Sequence, residues 1–184
     1  KARTIREQVI FYVYPAVNPD GRQYLLSPEH ASLMTINGNP EIKAAGKTNH
    51  NRLWNTSGNF VSIDKIKAAI EKDTEGRVDY LLDFHGIPSR TFIFVDDKSL
   101  HSPLGDALLA RGFNLRKSSV SPEGNKASTL RSWAASSEGV ALYAFTPEIA
   151  NQSKKELLLK GQSFALAFYD MLKKIRNSTP VQKD

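Results

Sequence analysis

The residues best suited to chemistry fall in four short stretches: Asn18-Pro19-Asp20-Gly21, Asn51-Arg52, Asp83-Phe84-His85-Gly86 and Glu148. Asp83 and His85 are two apart, so on a strand they point to the same side. A histidine so placed can bind a metal while a nearby carboxylate orients it. A histidine simply hydrogen-bonded at a strand end is the plainer alternative. Asn51 and Arg52 set a neutral donor and acceptor beside a planar guanidinium, a pair suited to a carboxylate. The plainer alternative there is a surface ion pair, with Trp54 filling the core. Glu148 follows an apolar run and is either a general base or an exposed loop glutamate. A histidine for a metal, a glutamate for a base and an arginine for a carboxylate form one set. Together they describe water-mediated cleavage of a peptide beside its C-terminus.

The elements that must position these residues alternate between strand and helix. Gln8–Val17 is rich in β-branched and aromatic residues, which predicts a central strand buried on both faces. Asn18–Gly21 is a turn signal. From Arg22 to Lys47 no periodicity survives, and a long loop of this kind is usually functional or disordered. Val61–Thr74 reads as an amphipathic helix with Ile63, Ile66 and Ile70 inward and Gly76 as its stop. Strands follow over Val78–His85 and Arg90–Val95.

Ser102-Pro103 opens a second helix that Gly112 ends. Asn114–Ser128 reads as loop and Thr129–Ser137 as a short helix. Gly139–Phe145 reads as a buried strand ending in Thr146-Pro147-Glu148. A capping box from Ser153 to Glu156 starts the last helix. Its predicted stripe is Leu157, Gly161, Phe164, Ala165, Phe168, Leu172 and Ile175, with a polar tail from Asn177. The strand–helix–strand order predicts an α/β fold with a largely parallel sheet, whose ligand sites lie outside the carboxyl ends of the strands.

Composition narrows the classes. The 184 residues suit one domain, placed at 1–176 with a tail over 177–184. There is no cysteine, which excludes disulfides, thiolate ligands and a cysteine nucleophile. The net charge of +6 is concentrated near the last helix, without the aromatic interleaving of a nucleic-acid surface. No run approaches the roughly 18 apolar residues of a membrane span. The expectation is no nucleic-acid and no membrane partner; the oligomeric state is left open.

In order and wording, the motifs resemble those of the carboxypeptidase A-like zinc carboxypeptidases. The matching residues are NPDG at Asn18–Gly21, NRLW at Asn51–Trp54, DFHG at Asp83–Gly86 and FTPE at Phe145–Glu148. The DFHG form looks closest to the cytosolic carboxypeptidase branch, and the likeness spans roughly residues 8 to 175. The resemblance implies a three-layer α/β/α domain around a twisted, mixed, largely parallel sheet, with zinc as cofactor and a cytoplasmic setting. The implied substrate is a peptide or protein C-terminus. His85 would be the third zinc ligand, Asn51 and Arg52 would hold the terminal carboxylate, and Glu148 would be the general base. Zinc in such sites lowers the pKa of its water to about 7.

Three departures qualify the likeness. The family's first two ligands come from an HxxE motif ahead of NPDG. None of His30, His50, His85 or His101 is followed three residues on by glutamate. The chain is therefore expected to be the C-terminal part of such a domain and inactive by itself, since catalytic zinc uses three protein ligands. The alternative is a non-catalytic peptide- or carboxylate-binding relative. The carbonyl-polarising arginine expected before NRLW is also missing, leaving Lys43, Lys47 or Arg131 as candidates. No tyrosine occurs between Gly86 and Leu142.

Overall fold

The computed structural model describes residues 1–14, 54, 61–87, 90–118, 129–136, 139–150 and 152–178. The chain divides into two compact units. One comprises Lys1–Phe11, Val78–Val120 and Ala141–Asp184; the other comprises Tyr12–Arg77 and Ser121–Val140.

The first unit is built on a mixed, mostly parallel sheet with helices, an α/β arrangement as the strand–helix order predicts. Its strands are β1 (Val78–Leu82), β2 (His85–Ile87), β3 (Phe92–Val95), β4 (Leu115–Lys117) and β5 (Ala141–Ala150). β5 is central. It pairs in parallel with β1 and β2 along one side and antiparallel with β3 on the other, and β4 lies parallel beyond β3. The helices of this unit are α1 (Ala2–Gln8), α3 (Asp97–Leu100), α4 (Pro103–Ala110) and α6 (Lys154–Ser178).

One sheet face carries Ile93, Val95 and Phe145, all fully buried. They join Leu104, Ala107 and Leu108 of α4, and Phe164, Ala167, Phe168 and Met171 of α6, in one core cluster. The α6 residues recur at the spacing of one helix face. This corrects the predicted stripe: Ala167 and Met171 are buried, whereas Ala165 is exposed and Leu157 is 42% exposed. Two ion pairs tie α6 to the α4 region, Arg111 to Asp170 (2.8 Å) and Lys174 to Asp106 (2.5 Å). The capping box forms as expected, with the Ser153 hydroxyl and amide both donating to Glu156, which holds that carboxyl below its usual range.

Several expectations fail for reasons of tertiary pairing. The strand predicted over Gln8–Val17 is absent from its described part. Gln8 closes α1, and Ile10 and Val13 are 80% and 74% exposed. Apolar β-formers gain their burial from neighbouring strands, and no described strand pairs with residues 9–14. Asp96 does not merely end β3; it N-caps α3 by accepting from the Ser99 amide at 2.7 Å. Leu115–Lys117, read as loop, forms the outer strand β4. The strand predicted to stop at Phe145 runs on to Ala150, which places Glu148 inside it.

The second unit contains α2 (Val61–Asp73) and α5 (Leu130–Ala134). Ile63 and Ile70 of α2 are buried, as their spacing predicts. Gly76, at φ +72°, donates to the Glu71 carbonyl and stops that helix in the left-handed region glycine favours. Trp54 is buried and packs its ring 5.6 Å from that of Trp133. This is the core-filling role expected of it. Among the described residues no helix is long and apolar enough to cross a membrane.

Candidate functional site

The site grows from one irregularity in the sheet. Leu82 pairs with Phe145 and His85 with Glu148, so the register along β5 is the same before and after the gap between β1 and β2. Within the gap the Asp83 amide still donates to the Phe145 carbonyl at 2.9 Å. In a parallel ladder the next donor would be the amide of residue 147. That residue is Pro147, which has no N–H to give. The ladder therefore lapses beside Asp83 and Phe84 and resumes at His85.

Side chains alternate along a strand, and in-register partners share a face. Asp83, His85, Thr146 and Glu148 thus leave the sheet on the side opposite Phe145, Ile93 and Val95. Glu148 also pairs with Phe92, and Phe94 with both Thr146 and Arg116, so these residues line the same face. The Arg116 guanidinium stacks 4.1 Å above the Phe92 ring. Sequence reading had missed Phe92 and Arg116. The alternation of Arg90–Val95 was the available signal for Phe92. Nothing local flagged Arg116.

His85 sits between two carboxylates. Its Nε2 lies 3.0 Å from Asp83 Oδ2, and its Nδ1 lies 4.0 Å from Glu148 Oε1. The imidazole is 30% exposed, and each acid side chain only 13%. Asp83 Oδ2 is buried without an aligned hydrogen bond, so its contact with His85 is one of proximity. The Glu148 contact is too long for a direct hydrogen bond. Separations of that kind are commonly bridged by a small group.

The two acids approach opposite nitrogens of the ring and do not converge with it on a single point. Accordingly, no group of three or more potential ligands among the described residues is placed to hold a metal ion. His85 can offer one nitrogen with Asp83 orienting the ring from behind, one ligand position out of the three that catalytic zinc uses. As described, these residues do not make a zinc site.

No family model matches the chain, and no curated protein or solved structure matches it either. The remaining predicted site residues are placed as follows. Asn51 and Arg52, the turn at Asn18–Gly21, and Lys43 and Lys47 lie outside the described residues. Arg131 lies on α5 in the second unit and is 6% exposed. The structure thus brings together His85, Asp83 and Glu148.

Proposed function

We propose that this protein is a peptide hydrolase of the zinc metallocarboxypeptidase type, built on a three-layer α/β/α domain and acting in the cytoplasm on a peptide C-terminus. The observation that carries the reading is the in-register pairing of His85 with Glu148, with Asp83 behind the imidazole. His85 and Glu148, far apart in sequence and each a candidate for the same chemistry, are neighbours on one sheet face.

In this reading Glu148 takes a proton from the attacking water and delivers it to the leaving amine. Its flank of Phe92, Thr146 and the sheet limits solvent access, which strengthens its electrostatic hold on a developing charge. Arg52, with Asn51, grips the terminal carboxylate through paired charge-assisted bonds. His85 contributes one nitrogen to zinc, whose role is Lewis-acid chemistry. The reading requires ligands beyond the described residues.

The test is cleavage of a peptide with a free C-terminal carboxylate, compared with its amidated form, in the presence of zinc, by a longer protein that carries this chain together with the remaining zinc ligands. Glu148→Gln is expected to lower turnover by about 10²–10⁴-fold while leaving substrate binding in place. Unchanged cleavage by Glu148→Gln would remove Glu148 as the base and with it this reading. A second reading rests on the absence of HxxE from the sequence. It is a carboxylate-binding relative that holds the peptide without cutting it. Saturable binding of the free peptide over the amidated one, with no cleavage by that longer protein at any zinc concentration, would select it.

A further inference from the structure

A second concave feature of the first unit lies away from the sheet, between α1 and α6. It is a cavity of about 240 Å³. Thr4 and Gln8, one turn apart on α1, line one wall. Tyr169, Lys173, Arg176 and Asn177, on one face of α6, line the other. Among the described residues the lining contains two cations, three further hydrogen-bonding side chains and a phenol, but no carboxylate.

Two neighbouring acids among the described residues are already engaged elsewhere. Glu7 is tied to Arg3 at 2.7 Å, and Asp170 to Arg111 at 2.8 Å. Meanwhile the ammonium groups of Lys1 and Lys173 each lie 5.9 Å from the centre of the same Tyr169 ring. A cation near a helix C-terminus is favoured by the helix dipole, which accounts for Arg176 singly. It does not account for Lys173 beside it on the same wall, where like charges repel. A bound dianion would relieve that repulsion.

We propose that this groove binds a small phosphate monoester. Arg176 offers a planar fork matched to phosphate oxygens, and Lys173 offers a point charge, with Lys1 near the same Tyr169 ring. Thr4, Gln8 and Asn177 supply neutral donors. Tyr169 and Leu172 provide apolar surface for a few carbons of the ester. The volume falls just below the roughly 300–1,000 Å³ of pockets for drug-sized ligands, so the ester is smaller than a nucleotide.

The experiment is a ¹⁵N NMR titration of the whole chain with glycerol 2-phosphate at constant ionic strength, with sodium chloride as comparator. Saturable shifts are expected at Thr4, Gln8, Lys173 and Arg176. Removing one charge-assisted bond by Arg176→Gln or Lys173→Gln is expected to weaken binding about tenfold or more. Lys174→Gln removes the same charge one residue away, where Lys174 pairs with Asp106, and is expected to leave the affinity unchanged. All three glutamine changes fall on the outer part of a helix, and retained far-UV circular dichroism would show that each variant is folded. Non-saturating shifts, shifts reproduced by chloride, or equal affinity in Arg176→Gln and the unaltered chain would each overturn the proposal.

Discussion

His85 and Glu148 are opposite partners on two parallel strands, with Nδ1 and Oε1 4.0 Å apart across the face they share. The relationship depends on β5 continuing past Pro147. Had the strand ended at Phe145, Glu148 would sit on a loop, free to drift from the imidazole. Pro147 interrupts the ladder only locally, between β1 and β2, because pairing resumes in the same register at His85. The residue that looked like a strand terminator therefore sits inside the strand that holds the acid in register.

Asp83→Asn tests whether the acid behind His85 tunes that ring. The change keeps the size and removes the charge 3.0 Å from Nε2. Loss of a carboxylate that orients a ligating histidine typically weakens metal binding about 10–100-fold. The expected result, in a longer protein that supplies the remaining ligands, is a drop of that order in zinc affinity, read by competition with a chromophoric chelator, with an unchanged circular dichroism spectrum. Equal affinities in the two proteins would show that Asp83 plays no part in a metal site.

What could be read from the sequence was what depends on near neighbours. The α2 and α4 helices, the Ser102–Pro103 start and the Ser153–Glu156 box are decided within a turn or two, where capping and periodicity act. The Gln8–Val17 run misled because its residue types record a preference for a buried sheet, and only partner strands can grant that burial. β4 was hidden because Leu115 is its one apolar residue. Its strand character comes from β3 beside it. In the site, Asp83 and His85 were legible as a same-side pair and Glu148 as a strand-end acid. Their meeting was not, because the register between strands so far apart in sequence leaves no local mark.

Ser99 is expected to matter more for stability than its small size implies. It is fully buried, and its hydroxyl accepts from the Ala144 amide at 2.9 Å, satisfying a central-strand donor just beyond the end of β3. Ser99→Ala leaves that amide without an acceptor and is expected to cost about 1–3 kcal/mol. Gly105 guards the same corner. A β-carbon there would meet the Leu100 and Ser99 carbonyl oxygens at 2.4 and 2.5 Å, so α3 and α4 would have to separate. Gly105→Ala is expected to cost about 1–3 kcal/mol through overpacking. Urea unfolding of each variant measures both, and a midpoint equal to that of the unaltered protein would refute the corresponding contact.

Tyr80 ties the core face of the sheet to alkaline pH. Its ring stacks on Tyr143 with centres 5.1 Å apart, and its phenol is pushed up from 10.0 to about 12, first by burial and then by Tyr143 and Asp79. As pH rises, the unfolded chain releases this proton near 10 while the folded protein holds it until about 12. Over that window the folded state binds more protons, so stability falls with pH. The contribution is whole below pH 10 and is lost on passing through about 12. Tyr14, raised to about 12 by burial and its bond to Asp73, acts in the same window and needs its own control. Urea unfolding from neutral pH to about 12 should therefore show a shallower decline in Tyr80→Phe than in the unaltered protein, in a Tyr14→Phe background as well. Parallel curves in that background would mean that Tyr80 ionises alike in the folded and unfolded chains, and that its stacking on Tyr143 leaves the phenol open to solvent.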